Sequence, residues 1–224
     1  MTVADVEAIA AAADRIRDRI AGAGGDPEAV RLVAVTKGQP VAVLEAATEA
    51  GLLDLGESYP QEMAAKVEAL HDRPVRWHGI GRLQRNKVRT IAPAVHLWHS
   101  VDRLALAAEI AQRAPGAAVL VQVNVSGAEQ QGGCAPARVA PVAEGCSDLG
   151  LHVRGLMAIG PLGPPEAARC GFRMLRALAD ELELPERSMG MSADLEAAIA
   201  EGSTIVRIGT ALFGPRGGTV AVGK

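Results

Sequence analysis

Apolar residues recur at spacings of three and four over Val3, Val6, Ile9, Ala13, Ile16 and Ile20, which marks one face of a helix. Ala21-Gly22-Ala23-Gly24-Gly25 ends the pattern, so an N-terminal helix is expected over about residues 2–21. Beyond Asp26-Pro27 the periodicity changes. Val30-Arg31-Leu32-Val33-Ala34-Val35-Thr36 is a β-branched run closed by Lys37-Gly38 and reads as a buried strand, with a helix behind it at 41–50. The alternation continues to the end of the chain. Further strands are expected at 52–55, 75–80, 95–101, 117–125, 152–159, 187–191 and 204–208. Helices are expected at 61–70, 83–91, 103–113, 138–146, 165–182, 193–201 and 211–213.

Eight strand-helix units in 224 residues predict an α/β fold, a single (β/α)8 TIM-type barrel with an extra N-terminal helix. An open doubly wound sheet is the alternative that the same alternation would produce, and the count of units separates the two. No composition shift, Ser-rich linker or fixed-period repeat divides the chain, so residues 1–224 read as one domain.

Aromatic residues make up only 2%, so Val, Leu, Ile and Ala must fill the core. A net charge of −3 gives no chain-wide attraction for nucleic acid or an anionic membrane. No stretch approaches the roughly 20 apolar residues of a membrane span, and charges from Asp5 to Arg19 interrupt any signal-peptide core. Cys134, Cys146 and Cys170 are odd in number and widely separated, which suggests neither a disulfide framework nor a zinc cluster. A cytoplasmic protein is expected.

In a barrel the chemistry sits on the loops that follow the strands. Lysine is scarce, with Lys37, Lys66, Lys87 and Lys224 against nineteen arginines, and Lys37 ends an apolar strand. A desolvated amine there could attack a carbonyl to form a Schiff base; the plainer reading is a strand-end lysine reaching for solvent. Met191-Ser192 and Arg207-Ile208-Gly209-Thr210 follow the seventh and eighth expected strands, where barrels often bind phosphate; taken singly, Ser192 is an N-cap and Gly209 a turn residue. A reactive lysine opposite a phosphate cradle suits pyridoxal 5'-phosphate (PLP) and equally a Schiff-base aldolase acting on sugar phosphates.

Other signals are weaker. Gly79-Ile80-Gly81 starts like a dinucleotide fingerprint but has Gln84 in place of the third glycine. Strand alternation puts His96 and His99 on opposite faces, which argues against a metal pair. His78 is read as a tentative lining residue, or as a structural histidine. The basic run Arg82, Arg85, Lys87 and Arg89 reads as a solvated face.

These same segments carry a family resemblance. Val33-Ala34-Val35-Thr36-Lys37, Gly56-Glu57-Ser58-Tyr59, His78-Gly79-Ile80-Gly81-Arg82-Leu83-Gln84-Arg85-Asn86-Lys87, Ser188-Met189-Gly190-Met191-Ser192 and Arg207-Ile208-Gly209-Thr210 occur in the order seen in the pyridoxal phosphate homeostasis protein family. The match extends over about residues 30–216, and it implies a barrel like the N-terminal domain of alanine racemase. It further implies PLP held as a Schiff base on Lys37, with Ser192, Gly209, Thr210 and the Met191 backbone at the phosphate and Arg207 facing the pyridine nitrogen. Ser58 and His78 would border the cofactor. The family usually has Asn at Ser58 and an aromatic residue at Gly79, so this chain loses hydrogen-bonding reach at one position and ring packing at the other.

The resemblance implies a protein of vitamin B6 and amino-acid homeostasis that buffers PLP or delivers it to apo-enzymes, as a monomer or weak homodimer, without robust catalysis. A slow PLP-dependent amino-acid racemase is the alternative. It needs an acid or base on each face of the substrate carbon, and the tyrosine that racemases use comes from a second domain.

Overall fold

The structure is a computed structural model that describes residues 5–128, 130–161 and 163–214. Helix α1 (Val6–Gly22) leads into eight strands: β1 (Arg31–Val35), β2 (Asp54–Glu57), β3 (Arg76–Gly79), β4 (Val95–Val101), β5 (Ala118–Val123), β6 (His152–Ala158), β7 (Glu186–Ser188) and β8 (Ile205–Ile208). Each pairs in parallel with the next, and β8 returns to β1 with Ala34 opposite Ile208, so the sheet closes into a barrel. The open sheet is thereby excluded. Helices α2 (Val41–Glu49), α3 (Pro60–Ala69), α4 (Arg85–Ile91), α5 (Leu104–Arg113), α6 (Val139–Asp148), α7 (Arg169–Glu181), α8 (Leu195–Ala200) and α9 (Thr210–Phe213) follow β1 to β8 in turn.

The β-branched runs form strands because both faces are covered, one by the helices and one by the barrel interior. Between strands and helices lies the main apolar core, which includes Ile16, Leu44, Leu55, Leu106, Phe172 and Leu175. Inside the barrel the apolar set is small: Val33, Leu97, Leu120, Met157 and Ile205. The rest of the interior is polar, with His78, His99, Ser188 and Arg207 buried.

α1 is capped by Asp5, whose carboxylate accepts from the Ala8 amide at 3.1 Å. It buries Ile9, Ile16 and Ile20, each contributing about 1.5–3 kcal/mol. The first residues of the expected helix, 2–4, lie outside the described residues.

Several boundaries shift by a few residues, β7 most of all, which ends at Ser188 and not at 191, and three further departures have a physical cause. β2 runs on through Gly56 and Glu57, which look like a turn but are both buried, because a lysine neutralises the glutamate. The segment expected as one helix at 165–182 begins with a 3-10 turn, Pro165–Ala168, before α7. β4 also breaks its alternation: Trp77 pairs with Val95 but His78 pairs with Leu97, leaving His96 as the extra residue of a bulge. The expected opposition of His96 and His99 is therefore lost. Both rings lie against His78, at centroid distances of 5.9 and 5.1 Å. No group of three or more His, Cys, Asp or Glu is placed to hold a metal among the described residues.

Candidate functional site at the C-terminal end of the barrel

The C-terminal ends of the strands open into a cavity of about 870 Å³. Seven of the residues expected at the site line it: Lys37, Ser58, Met191, Ser192, Arg207, Gly209 and Thr210. The described lining carries four cations, Lys37, Arg82, Lys87 and Arg207, and no Asp or Glu. In a chain with net charge −3, this is a local excess of positive charge suited to an anion. Six of the seven glutamines in the sequence, including Gln39, Gln84 and Gln122, also line this cavity. Nothing in the spacing of the glutamines foretold that; Gln122 lies near the end of β5, and the other five lie in the loops and helix starts that follow β1, β2, β3 and β5.

Lys37 is held on a rigid base. Thr36 before it donates its hydroxyl to Glu57 Oε2 at 3.1 Å, and Gly38 after it donates its amide to Glu62 Oε2 at 2.8 Å. Lys66 locks these together: its Nζ donates to the Thr36 carbonyl at 2.8 Å, to Glu57 at 2.6 Å and to Glu62 at 2.9 Å. Burial opposes ionisation of Glu62, but the Gly38 amide and the Lys66 ammonium hold its carboxyl below the usual range. Lys37 and Lys66 are 29 residues apart in the chain; Lys66 is paired within the wall, and Lys37 faces the cavity. Glu57, Glu62 and Lys66 had no role in the sequence reading; the spacing Glu62 to Lys66, one helical turn, was the signal available.

The loops after β7 and β8 meet at the other side. The Met191 amide donates to Asp194 Oδ1 at 2.6 Å and the Arg207 amide to the Gly190 carbonyl at 3.0 Å. Ser192 Oγ accepts from the Ala211 amide at 3.2 Å, and Gly209 and Thr210 open α9, whose first amides have no intrahelical acceptor. Gly190 is needed in this turn: it has φ +97°, and a Cβ there would sit 2.6 Å from that of Ala198. From outside, Arg19 of α1 donates to the Ser192 carbonyl at 3.0 Å and pairs with Glu196.

Arg207 crosses the cavity floor. It donates to Ser188 Oγ at 2.7 Å and to the Ala158 carbonyl at 2.9 Å, and burial brings its guanidinium down to about 10.

His78 does not line the cavity. Its ring is fully buried in the barrel, with Nε2 at 2.9 Å from Asp54 and Nδ1 at 2.9 Å from His99. The expectation that His78 borders the cavity is not met: its ring turns into the barrel interior, toward the N-terminal end where Asp54 lies. At Gly79, the ring space expected to be lost is bordered by Trp98, whose Cε3 would stand 3.5 Å from an added Cβ. Gly81 is required by close approach, since a Cβ there would fall 2.2 Å from the Ser58 carbonyl oxygen.

This barrel and cavity define a class. Residues 4–217 match the family described as alanine racemase, N-terminal domain. A pyridoxal phosphate homeostasis protein from Pseudomonas aeruginosa is 47% identical over 218 residues, spanning 94% of this chain and 95% of the relative. One from Aquifex aeolicus is 44% identical over 215 residues, spanning 91% and 94%. The chain belongs to the pyridoxal phosphate homeostasis protein family. Among solved structures, PipY of Synechococcus elongatus PCC7942 with PLP bound superposes with a TM-score of 0.77 at 35% identity, covering 88% of this chain and 99% of PipY. The alanine racemase of Corynebacterium glutamicum, at 17% identity and TM-score 0.72, shares the fold; this chain covers 60% of it.

Proposed function

We propose that this chain binds PLP in the C-terminal cavity and serves vitamin B6 and amino-acid homeostasis as a holder and donor of the cofactor, without robust catalysis. The observation that carries this is the convergence of Lys37, the Ser192 and Gly209-Thr210 loops and Arg207 on one cavity whose described lining has no carboxylate. The PLP-bound PipY structure and the named relatives support it.

When bound, PLP supplies an aldehyde, a pyridine nitrogen and a phosphate at separate points of one ring. We assign Lys37 as the amine that holds the aldehyde. Ser192, Gly209, Thr210 and the Met191 backbone hold the phosphate, and Arg207 faces the ring nitrogen. Ser58 borders the ring, with room left by its short side chain for water. Residues 1–224 act as one PLP-binding domain.

Arg207 bears on why holding prevails over turnover. A guanidinium can only donate, so it favours an unprotonated ring nitrogen, a poor sink for a carbanion. Among the described lining residues the amines and phenol are those of Lys37, Lys87 and Tyr59, the last exposed at the mouth. We further propose a cytoplasmic monomer or weak homodimer that delivers PLP to apo-enzymes; no helix among the described residues is long and apolar enough to cross a membrane.

The test is an absorbance spectrum of the purified protein, then borohydride reduction and peptide mass mapping. A pyridoxyl adduct on Lys37, lost in Lys37→Ala, is expected. A colourless protein, or undiminished absorbance in Lys37→Ala, overturns the reading. A sugar-derived adduct in place of pyridoxyl-lysine would support an aldolase instead. Multiple-turnover exchange of the α-hydrogen of alanine, absent from Lys37→Ala, would support the slow racemase.

A further inference from the structure

A line of buried polar groups runs through the barrel from the cavity to its opposite end. Arg207 Nη1 lies 2.7 Å from Ser188 Oγ, and Ser188 Oγ lies 2.9 Å from His99 Nδ1. His99 Nε2 is 2.9 Å from His78 Nδ1, and His78 Nε2 is 2.9 Å from Asp54 Oδ1. Asp54 is then gripped by Arg76, whose Nε and Nη2 donate to its two oxygens at 2.9 and 2.6 Å. Arg76 is half-exposed at the N-terminal end, whereas His78, His99 and Ser188 are wholly buried.

The two ends dictate the direction of every hydrogen between them. A guanidinium only donates and a carboxylate only accepts. His78 must therefore present Nε2–H to Asp54. With both imidazoles neutral, His78 Nδ1 accepts from His99 Nε2–H, and His99 Nδ1 accepts from the Ser188 hydroxyl, which in turn accepts from Arg207. Burial holds both histidines below their ordinary pKa, opposed at His78 by Asp54 and reinforced by the charges of Arg31 and Arg76. Arg31 on β1, Arg76 on β3 and His96 on β4 are the other charged or titratable groups that face this end of the line.

Such a line has an energetic cost, since apolar residues would fill the same interior without desolvating polar groups. Within it only Arg207 reaches the cavity. We propose that Asp54, His78, His99 and Ser188 are positioning residues for Arg207: a one-way hydrogen-bonded column that orients the guanidinium toward the ligand, so that the far end of the barrel governs how tightly the cavity holds a pyridine-type nitrogen. The proposal rests on the assignment of Arg207 to the PLP ring nitrogen.

Two measurements test it. Nitrogen-15 NMR of the histidine side chains, on the protein without PLP at pH 7.5 (a condition chosen about one unit above the ordinary histidine value), is expected to show His78 and His99 neutral and both as Nε2–H tautomers. An Nδ1–H tautomer or a protonated ring at either overturns the column. Titration with PLP is then expected to give about tenfold weaker binding in Ser188→Ala and in Asp54→Asn, with recovery in Asp54→Glu. Leu106→Ala, a cavity in the core outside the barrel, lowers thermal stability and is expected to leave PLP affinity unchanged. Equal loss of affinity in Leu106→Ala, or full affinity in Ser188→Ala, overturns the positioning role. A wild-type protein that takes up no PLP would fail the ligand assignment alone, because the tautomer measurement does not involve PLP.

Discussion

The two ends of the barrel use charge in opposite ways. At the N-terminal end four arginines are answered by carboxylates: Arg76 by Asp54, Arg31 and Arg154 by Glu186, Arg17 by Asp14. At the C-terminal end four cations line one cavity with no carboxylate among its described residues. A paired charge is spent on structure and contributes little beyond it, while a cation without a counter-charge leaves a field for something else to neutralise. The difference separates the end that closes the fold from the end that meets a ligand.

Lys66 offers the sharpest break in that contrast, because it lies at the C-terminal end yet is fully paired. Lys66→Ala leaves Glu57 buried and uncompensated, and is expected to cost about 3–5 kcal/mol in urea unfolding. Lys37→Ala, in the same wall, should leave the unfolding midpoint nearly unchanged. Equal losses for the two would erase the distinction between structural and ligand-facing lysine.

Next in size is pH. The folded-state values of His78 and His99 lie below the unfolded value of about 6.5, so below that pH the unfolded chain takes up protons first. Stability is complete above about pH 6.5 and falls as pH falls, by up to about 1.4 kcal/mol per pH unit for each histidine. Urea midpoints from pH 7.5 to 5.5 measure it, those conditions spanning the ordinary histidine value by about one unit each way; a flat profile would mean that the interior imidazoles are not held neutral.

Smaller still is the field at the mouth. Replacing Arg82 and Lys87 together by Ser should weaken PLP binding about tenfold in dilute buffer, with the deficit shrinking as salt is added. The same double change should leave stability untouched, unlike loss of a paired charge. The smallest effect is expected for Ser192→Ala, which removes one hydrogen bond to the Ala211 amide and should lower stability by about 0.5–1.5 kcal/mol.

The barrel was legible because the alternation repeats: eight strand segments, several of them rich in β-branched residues such as 30–36 and 117–125, are each followed by a helical stripe and leave one natural count. Lys37 and the loops after β7 and β8 were legible as candidates because they stand just past strand ends. The interior column was not. His78, His99 and Ser188 sit on three strands far apart in sequence, and a bulge at His96 defeats the alternation from which their facing would be read. Glu57 looked like a turn residue because a lone carboxylate argues against a buried strand. The Lys66 ammonium of α3, together with the Thr36 hydroxyl and the Ser58 and Tyr59 amides, removes that objection.

The tether from Arg19 to the Ser192 carbonyl spans 173 residues of chain. The wall of the cavity is thus stitched from the first helix and the penultimate strand-helix loop, the kind of long-range closure that carries the greatest entropic cost and comes late. The turn after β7 is therefore held partly from the opposite end of the sequence: a chain without α1 would keep Lys37 yet lose the Arg19 contact that fixes the Ser192 carbonyl from outside the barrel.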